Sequence, residues 1–317
     1  MQTHLSVVVP TYKSPTTLEP LVQRVVRLPT WTTESEILIV DDGNLDQTWE
    51  VVQRLAAQYR GVRGFRLQHN VGQHAALLCG IRAARNGVII TLDDDLQNPP
   101  EEITKLLQAL TDDIDIVIGQ PKKASHSSFR RLTSNWSKRL LARSLGYKHA
   151  TAISPFRVFR TRLRENFGSQ LGPSVSIDAL LALASSRFKV IEVDHHSRGD
   201  GTSNYSIGKL FKFFLTSATS ASVVPLRIAT KVGYLALFIS MSLLTVTISR
   251  RLIFGDVVTG FPFLVSLIAA TSGVQLLLLG ILGQYIGHMH YRVIGTPSYI
   301  VLEETKQSNR KQSTDDV

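Results

Sequence analysis

The chain has 317 residues, a formal net charge of +10 and a mean hydropathy of +0.07. This length allows one large or two modest domains. Basic charge combined with apolar bulk favours a protein that works at a membrane and argues against a nucleic-acid-binding protein. The single cysteine, Cys79, excludes an intramolecular disulfide bond, which suits a reducing compartment.

Up to residue 118, apolar strand-like runs alternate with runs that have helical periodicity. This alternation predicts an α/β fold with a doubly wound, mostly parallel sheet and right-handed crossovers. The predicted strands are 5–9, 36–40, 65–67, 88–92 and 114–118, and the predicted helices are 20–28, 46–59, 73–85 and 101–110.

Three consecutive aspartates, Asp93, Asp94 and Asp95, follow the fourth predicted strand. Open α/β sheets bind ligands at the carboxyl ends of their strands. Carboxylates this close repel one another, so the cluster suits a cation, and hard oxygen ligands favour Mg²⁺ or Mn²⁺ bridging to substrate phosphates. The alternative is an acidic turn that caps the helix beginning at Pro99-Pro100.

The three preceding strands also end in unusual loops: Val9-Pro10-Thr11-Tyr12, Asp41-Asp42-Gly43 and His69-Asn70-Val71-Gly72. Parallel strands end on one side of a sheet, so all four loops are expected to meet at one edge. An aspartate after the second strand can accept hydrogen bonds from a ribose or a base. The patterns GxxxxGK[ST] and GxGxxG are absent there, which predicts a nucleotide site of another kind. Each loop alone is also compatible with ordinary turn chemistry.

Two long uncharged segments lie near the C-terminus, Val232–Ser249 and Val257–Gly287. Since a membrane span needs about 20 apolar residues, they predict two transmembrane helices at about 230–250 and 259–287. The short connection Arg250–Asp256 makes them a hairpin. Residues 206–222 have the pattern of an amphipathic helix at the membrane interface.

Basic residues predict the orientation of this hairpin. Lysines and arginines flank both of its ends, whereas the connection carries only Arg250 and Arg251, so the positive-inside rule places the N-terminal domain in the cytoplasm. No signal peptide is expected, because the first apolar run, Leu5–Val9, is too short. Several glycines in the second span could support close helix contacts, and a homo-oligomer is therefore a possible assembly.

The four loops together resemble the family 2 glycosyltransferases. The strings that carry the resemblance are Val7-Val8-Val9-Pro10-Thr11-Tyr12, Asp41-Asp42-Gly43-Asn44-Leu45-Asp46-Gln47-Thr48, Asn70-Val71-Gly72 and Asp93-Asp94-Asp95-Leu96-Gln97-Asn98-Pro99-Pro100-Glu101. The last string is similar to that of the polyprenyl-phosphate glycosyltransferases, a branch that includes dolichol-phosphate mannose synthases and bacterial undecaprenyl-phosphate sugar transferases. The resemblance extends from about residue 5 to about residue 290.

The resemblance implies a GT-A-type fold, with a cytoplasmic catalytic domain at 1–205 and an interfacial amphipathic segment at 206–228. Two transmembrane helices would occupy 229–290, and a cytoplasmic tail with a disordered end would occupy 291–317. The enzyme would lie in a bacterial inner membrane.

Roles for individual residues also follow from the resemblance. The metal ligands would be Asp93, Asp95 and Gln97, with Mg²⁺ or Mn²⁺ as the cofactor. Asp95 also counts as catalytic, and Asp178 is the candidate base, although helix N-capping explains Asp178 equally well. The residues expected to bind the nucleotide-sugar donor are Pro10, Tyr12, Asp41, Asp42, Gly72 and Asp94.

The acceptor would meet basic residues. Arg157 lies in a string similar to the branch's Phe-Arg-x-x-x-Arg region, and Arg198 lies in a loop similar to its Arg-x-x-Gly-x-Ser-Lys-Tyr string, with Asn204 in place of the lysine. A basic helix-like segment contributes Arg130, Arg131 and Arg139, which could meet lipid phosphate or form a solvated face.

We therefore expect an inverting, metal-dependent glycosyltransferase that moves a sugar from a nucleotide donor, with uracil as the expected base, to a polyprenyl phosphate. Two alternatives stay open. One is a glycosyltransferase with another lipid or a glycan as acceptor, and the other is a membrane scaffold that binds nucleotides without catalysis. The sugar and the polyprenol length do not follow from the residues.

Overall fold

The computed structural model describes residues 4–43, 46–121, 154–168, 176–196, 260–295 and 297–305, with scattered positions between 231 and 253. The chain divides into two compact units. The first, which we call the sheet unit, comprises Met1–Arg143, Tyr147–Ser203 and Gly295–Val317. The second comprises Ser144–Gly146 and Asn204–Ile294.

The sheet unit is built on one mixed β-sheet, in which eight strands are described in the order β7-β5-β6-β4-β1-β2-β3-β8. β1 pairs in parallel with β2 and β4, β2 with β3, and β5 with β7, whereas β6 and β8 run antiparallel to their neighbours. The strands are β1 Leu5–Thr11, β2 Glu36–Asp41, β3 Val62–Leu67, β4 Val88–Thr91, β5 Ile116–Pro121, β6 Arg157–Arg160, β7 Phe188–Val193 and β8 Val301–Glu304.

Helices cover both faces of this sheet. They are α1 Leu18–Val26, α2 Thr48–Gln58, α3 Gln73–Ala83, α4 Ile103–Ala109 and α5 Ile177–Ala184, with short 3₁₀ turns at Pro100–Glu102 and Thr161–Asn166. Alternate residues of β1 divide between two apolar clusters: Val7 and Val9 pack with α1 and α2, and Val8 packs with α3. Successive residues of a strand point to opposite faces of the sheet, and helices bury both faces here. Every position of β1 and β2 therefore favours an apolar residue, which explains their unbroken apolar runs.

The predicted alternation of strands and helices up to residue 118 is confirmed, and so is the α/β class. The described sheet is mixed, because four of its seven strand pairings are parallel and three are antiparallel. Sequence periodicity did not predict β6, β7 or β8. β6 and β8 have four residues each, with the sequences RVFR and VLEE, and β7 reads FKVIEV. Such short, charge-bearing strands are stabilised by partners that lie far away in sequence, so local pattern does not reveal them.

The second unit contains α6, Phe261–Val293, which overlaps the predicted second membrane helix. In the part of the chain that the structure describes, no helix meets the length and hydropathy needed to cross a membrane. The predicted interfacial segment 206–228 lies outside the described residues, as does most of the predicted first membrane helix. The transmembrane hairpin therefore remains a prediction.

Candidate active site

A cleft of about 340 Å³ opens at the carboxyl ends of β1, β2 and β4. The loops after β1, β2, β3 and β4 all contribute to its lining, so the predicted meeting of four strand ends is confirmed. The lining residues are Pro10, Thr11, Tyr12, Ser14, Asp42, Asn70, Gly72, Gln73, Asp93, Asp94 and Asp95.

Asp94 ties the loop after β4 to the loop after β1. Its Oδ2 accepts a hydrogen bond of 2.6 Å from the Thr11 hydroxyl. Burial raises the pKa of Asp94, and hydrogen bonds from Thr11 and Ser14 partly oppose that rise. Sequence reasoning placed Thr11 in one of the four loops without giving it a role and did not name Ser14, because nothing near them signals a partner about 80 residues away.

Asp93 has a strongly perturbed carboxylate. Burial, together with the nearby charges of Asp95 and Asp94, raises the pKa of Asp93 to about 7, against the opposing effects of Arg157 and Gln73. The Gln73 amide at the start of α3 donates to Asp93 Oδ1 at 2.5 Å. Negative charge is thus crowded at this position, and a cation would relieve it.

The loop from Asp95 to Gln97 folds back on itself. Asp95 Oδ1 accepts a hydrogen bond of 3.1 Å from the backbone N–H of Gln97, and Leu96 between them has a φ of 59°. The loop is thus an acidic turn, as the alternative explanation had it. The hydrogen bonds described for Asp93, Asp94 and Asp95 go to Gln73, to the loop after β1 and to the Gln97 N–H, and none goes to a backbone N–H of the following 3₁₀ turn or of α4, so the capping part of that explanation is not supported.

Asp42 joins the loops after β2 and β3. Its two oxygens accept the backbone N–H groups of Val71 at 2.8 Å and Gly72 at 2.9 Å. Burial raises the pKa of Asp42, while these two hydrogen bonds oppose it. Gly43 has a φ of +63°, and a Cβ there would lie 2.3 Å from the His69 carbonyl carbon. Only glycine allows this close approach of the two loops.

Asp41 lies beneath the cleft and is not among its lining residues. Its side chain is fully buried, and Oδ2 lies 3.9 Å from Arg66 Nε on the neighbouring strand. Tyr12, in contrast, is half-exposed on the wall of the cleft, and the Lys13 ammonium lies 5.3 Å from its ring centre.

Arg157 and Asp178 form an ion pair, with 2.7 Å between Nη1 and Oδ1. The Arg157 side chain is buried, and its Nε has no hydrogen-bond partner among the described residues. Arg157 begins β6 in register with Thr91, the last residue of β4, so it lies next to the start of the acidic loop. The two residues were predicted to have separate roles, and no local pattern indicated that they contact each other.

His74 lies beside this ion pair. Its Nδ1 accepts the backbone N–H of Ile177 at 3.4 Å, which links α3 to the start of α5. Burial lowers the pKa of His74; the charge of Asp178 opposes that shift and the charge of Arg157 adds to it. His74 was not predicted as a site residue, because one histidine on an apolar helix carries no local signal.

The segment after β7 holds the far end of the acidic loop. The backbone N–H of His196 donates to the carbonyl of Gln97 at 2.8 Å, and His195 Nδ1 lies 3.3 Å from Asn98 Oδ1. The predicted acceptor residues Arg130, Arg131, Arg139 and Arg198 lie outside the described residues.

Comparisons with known proteins agree with this geometry. Residues 6–168 match the family model for glycosyl transferase family 2. The undecaprenyl-phosphate 4-deoxy-4-formamido-L-arabinose transferase of Aeromonas hydrophila is 31% identical over 94% of this chain and 92% of its own length. The transferase of the same name from Proteus mirabilis is 29% identical over 98% of this chain and 97% of its own.

Solved structures agree at the level of the fold. A mannosyltransferase from Pyrobaculum calidifontis, in complex with GDP-mannose and Mn²⁺, gives a TM-score of 0.50 at 14% identity over 92% of this chain and 88% of that chain. Glucosyl-3-phosphoglycerate synthase from Mycobacterium tuberculosis, in complex with Mn²⁺ and UDP-glucose, gives a TM-score of 0.51 at 17% identity. The match covers 69% of this chain and 79% of that chain. The sheet is therefore GT-A-like, as expected.

Proposed function

This chain belongs to glycosyl transferase family 2, and we propose that it transfers a sugar from a nucleotide-sugar, a UDP-sugar in the first instance, to a polyprenyl phosphate such as undecaprenyl phosphate. The observation that carries this proposal is the cleft in which the loops after β2 and β3 adjoin the crowded aspartates after β4. One end of this cleft suits a nucleoside and the other suits a diphosphate.

The nucleoside end is formed by Pro10, Tyr12, Asp42 and Gly72. Because Tyr12 is half-exposed on the cleft wall, its ring is available to stack on a base. Asp42 already binds two backbone N–H groups, so we assign it the shaping of the loop that contacts the nucleoside. Asp41 does not line the cleft, so it would support the loop that contains Asp42 without contacting the nucleoside.

The diphosphate end fits a divalent cation, with the donor phosphates supplying part of its coordination. No group of three or more His, Cys, Asp or Glu side chains that could hold a metal ion is found among the described residues. Asp93 and Asp95, with Gln97 nearby, would hold Mg²⁺ or Mn²⁺ together with phosphate oxygens, and the raised pKa of Asp93 fits a position that a cation stabilises. When bound, the cation would neutralise charge on the departing nucleoside diphosphate.

The acceptor would approach from the side of Arg157 and Asp178. A buried guanidinium held at 2.7 Å by a carboxylate is a rigid cation that can orient a lipid phosphate. A phosphate monoester, with a second pKa near ~6, is already mostly ionised at neutral pH, so positioning it for in-line attack on C1 with inversion could supply most of the rate. Asp178 is the candidate base, and its contact with Arg157 gives it a second role in holding that arginine.

We further propose that the enzyme is an integral protein of a bacterial inner membrane, with the sheet unit in the cytoplasm and the predicted hairpin as its anchor. The uncharged segment 257–287 supports this, as do the basic residues that flank the predicted spans. Fractionation of cells that produce the full chain tests it, because a peripheral protein would be released by carbonate at high pH.

The decisive experiment is a transfer assay on the full-length protein in detergent, with undecaprenyl phosphate, Mn²⁺ or Mg²⁺ and a panel of labelled UDP- and GDP-sugars. We expect a labelled lipid product that disappears with EDTA. Asp95→Asn should abolish transfer without lowering the melting temperature, whereas Asp112→Asn, which removes an exposed carboxylate that does not line the cleft, should leave transfer intact. An active Asp95→Asn enzyme would contradict the metal assignment.

A further inference from the structure

Three charged side chains form a row across neighbouring strands of the sheet. Asp41 on β2 is the register partner of Arg66 on β3, and Arg66 is the register partner of Glu303 on β8. Arg66 Nη1 donates to Glu303 Oε1 at 3.2 Å, and Arg66 Nε lies 3.9 Å from Asp41 Oδ2. The charges alternate in sign along the row.

Burial increases steadily along the row. The side chains of Glu303, Arg66 and Asp41 are 45%, 20% and 0% exposed. An ionised carboxylate is costly to bury without a nearby positive charge, and a charge pair gains strength as water is excluded. Arg66 therefore supplies the positive charge that favours Asp41 in its buried position.

Glu303 is itself held in place. Its Oε2 accepts a hydrogen bond of 3.0 Å from the indole N–H of Trp49 on α2, while Oε1 accepts from Arg66. A carboxylate fixed by two donors restricts the guanidinium that it binds. The orientation of Arg66 is thus set from the edge strand of the sheet, by a residue 237 positions later in the chain.

The buried end of the row leads directly to the nucleoside end of the cleft. The Gly43 N–H donates to the carbonyl of Asp41 at 2.9 Å, and the Asp42 N–H donates to the carbonyl of Thr11 at 2.9 Å. Asp42 then holds the loop at Val71 and Gly72. A displacement of Asp41 would therefore move the groups that shape the nucleoside pocket.

We propose that Arg66 and Glu303 are positioning residues for the nucleoside end of the donor site and act through Asp41. β8, which follows α6 in the chain, would then be a component of donor binding. The identity of the ligand as a nucleotide rests on the function proposed above. The coupling of β8 to the loops after β2 and β3 is independent of that function.

The neighbouring residue Glu304 provides a matched control. It lies on the same strand, has a similar exposure of 49% and also pairs with an arginine of β3, Arg63, at 3.0 Å. Arg63 contacts Glu36 at the opposite end of β2, away from Asp41. Glu303→Gln and Glu304→Gln therefore each remove one ion pair between β8 and β3, and only the first disturbs the row.

The test compares hydrogen exchange by mass spectrometry in the ligand-free, full-length protein in detergent. We expect Glu303→Gln to accelerate exchange in peptides that contain Asp42 or Val71-Gly72, with Arg66→Met giving a larger effect and Glu304→Gln none. Equal exchange in Glu303→Gln and Glu304→Gln would overturn the proposal, because β8 would then act only as a structural strand.

A second measurement uses UDP as the probe. Glu303→Gln should raise its dissociation constant about threefold, in the range of a half-exposed ion pair. Arg66→Met should raise it at least about tenfold, because it removes the positive charge that lies 3.9 Å from the buried Asp41 carboxylate. Arg66→Lys should recover part of the UDP affinity that Arg66→Met loses. In Glu303→Gln and Arg66→Met, the KM for the donor should rise while kcat stays unchanged. Failure of wild-type protein to bind UDP would refute the assignment of a uridine nucleotide, and failure to bind either UDP or GDP would refute the nucleotide assignment, while hydrogen exchange would still decide the coupling.

Exchanging the two charges separates positioning from docking. The double variant Arg66→Glu with Glu303→Arg restores the ion pair between β3 and β8 but places a negative charge beside Asp41. If the row positions Asp41, this variant binds UDP more weakly than Glu303→Gln. Recovery of wild-type UDP binding by the exchange would show that only strand docking matters.

Discussion

The ion pair between Arg157 and Asp178 gives the sharpest test of how the acceptor side is built. Arg157 is 3% exposed and Asp178 is 23% exposed, with 2.7 Å between their nearest atoms. At about 4 Å between charge centres and an effective dielectric constant of about 20, the attraction is about 4 kcal/mol. In the variant Asp178→Asn, the amide oxygen still accepts a hydrogen bond from the charged guanidinium, worth about 1.5 kcal/mol. This substitution should therefore destabilise the protein by about 2.5 kcal/mol, the difference between those two estimates.

For a unit of this size, about 1 kcal/mol shifts the melting temperature by about 2–4 °C, so we expect a decrease of about 5–10 °C in detergent. Arg157→Met should cost a similar amount, because it leaves a carboxylate without its partner. The double variant should cost clearly less than the sum of the two single changes.

Activity then separates folding from catalysis. Since Arg157 is proposed to hold the lipid phosphate, the double variant should remain inactive even at a temperature where it is fully folded. Strict additivity of the melting temperatures would refute the electrostatic reasoning, and substantial transfer by the double variant would remove Arg157 from the acceptor site.

Three further predictions concern other parts of the sheet unit. Gly43→Ala should abolish donor binding because its Cβ would overlap the His69 backbone, whereas Gly87→Ala, which meets nothing within 4 Å, should bind the donor like the wild type in a titration. Burial pushes the pKa of Asp115 upward, but hydrogen bonds from Arg162, Ser185 and Arg187 bring it down to about 2, below its ordinary 3.8. Because those arginines are half-exposed and screened by solvent, Asp115 stabilises the fold by at most about 2 kcal/mol above about pH 4. The melting-temperature gap between wild type and Asp115→Asn should therefore shrink as the pH falls from about 4 to about 2. Burial raises the pKa of Cys79 to about 12, so iodoacetamide at about pH 8 should label it only after denaturation, and rapid labelling of folded protein would contradict its burial.

The sequence predicted the cleft because its four loops follow from one rule about parallel strands. The first, second and fourth strands are apolar runs and the third is a short run containing Arg66. Because all four are parallel strands separated by helices, the meeting of their loops at one edge required no knowledge of packing. The same rule could not predict which side chains touch. Thr11 and Asp94 are 83 residues apart, and Arg157 and Asp178 are 21 residues apart, across β6 and α5.

The strands that local pattern missed have a physical explanation. β6 and β8 join the sheet through pairing with β4, β5 and β3, and their charged side chains form ion pairs that exist only after the strands meet. Contacts of this kind supply stabilisation that no window of the sequence contains. The Asp41–Arg66–Glu303 row depends on one of these strands, which is why Asp41 was predicted as a ligand-binding residue without its supporting partners.

The pattern of partners around the carboxylates argues that the cleft is built to bind a cation. Several acidic side chains elsewhere in the sheet unit are held by arginines: Glu36 by Arg63, Glu101 by Arg24, and Asp115 by Arg162 and Arg187. The cleft aspartates are held by neutral donors instead, namely a hydroxyl, an amide side chain and backbone N–H groups. Neutral donors fix the geometry of a carboxylate and leave its charge uncompensated. Among the described residues no lysine or arginine forms an ion pair with these aspartates, and Arg157 only partly opposes the rise in the pKa of Asp93. Such a concentration of negative charge favours the proposed cation and diphosphate over an ordinary acidic loop.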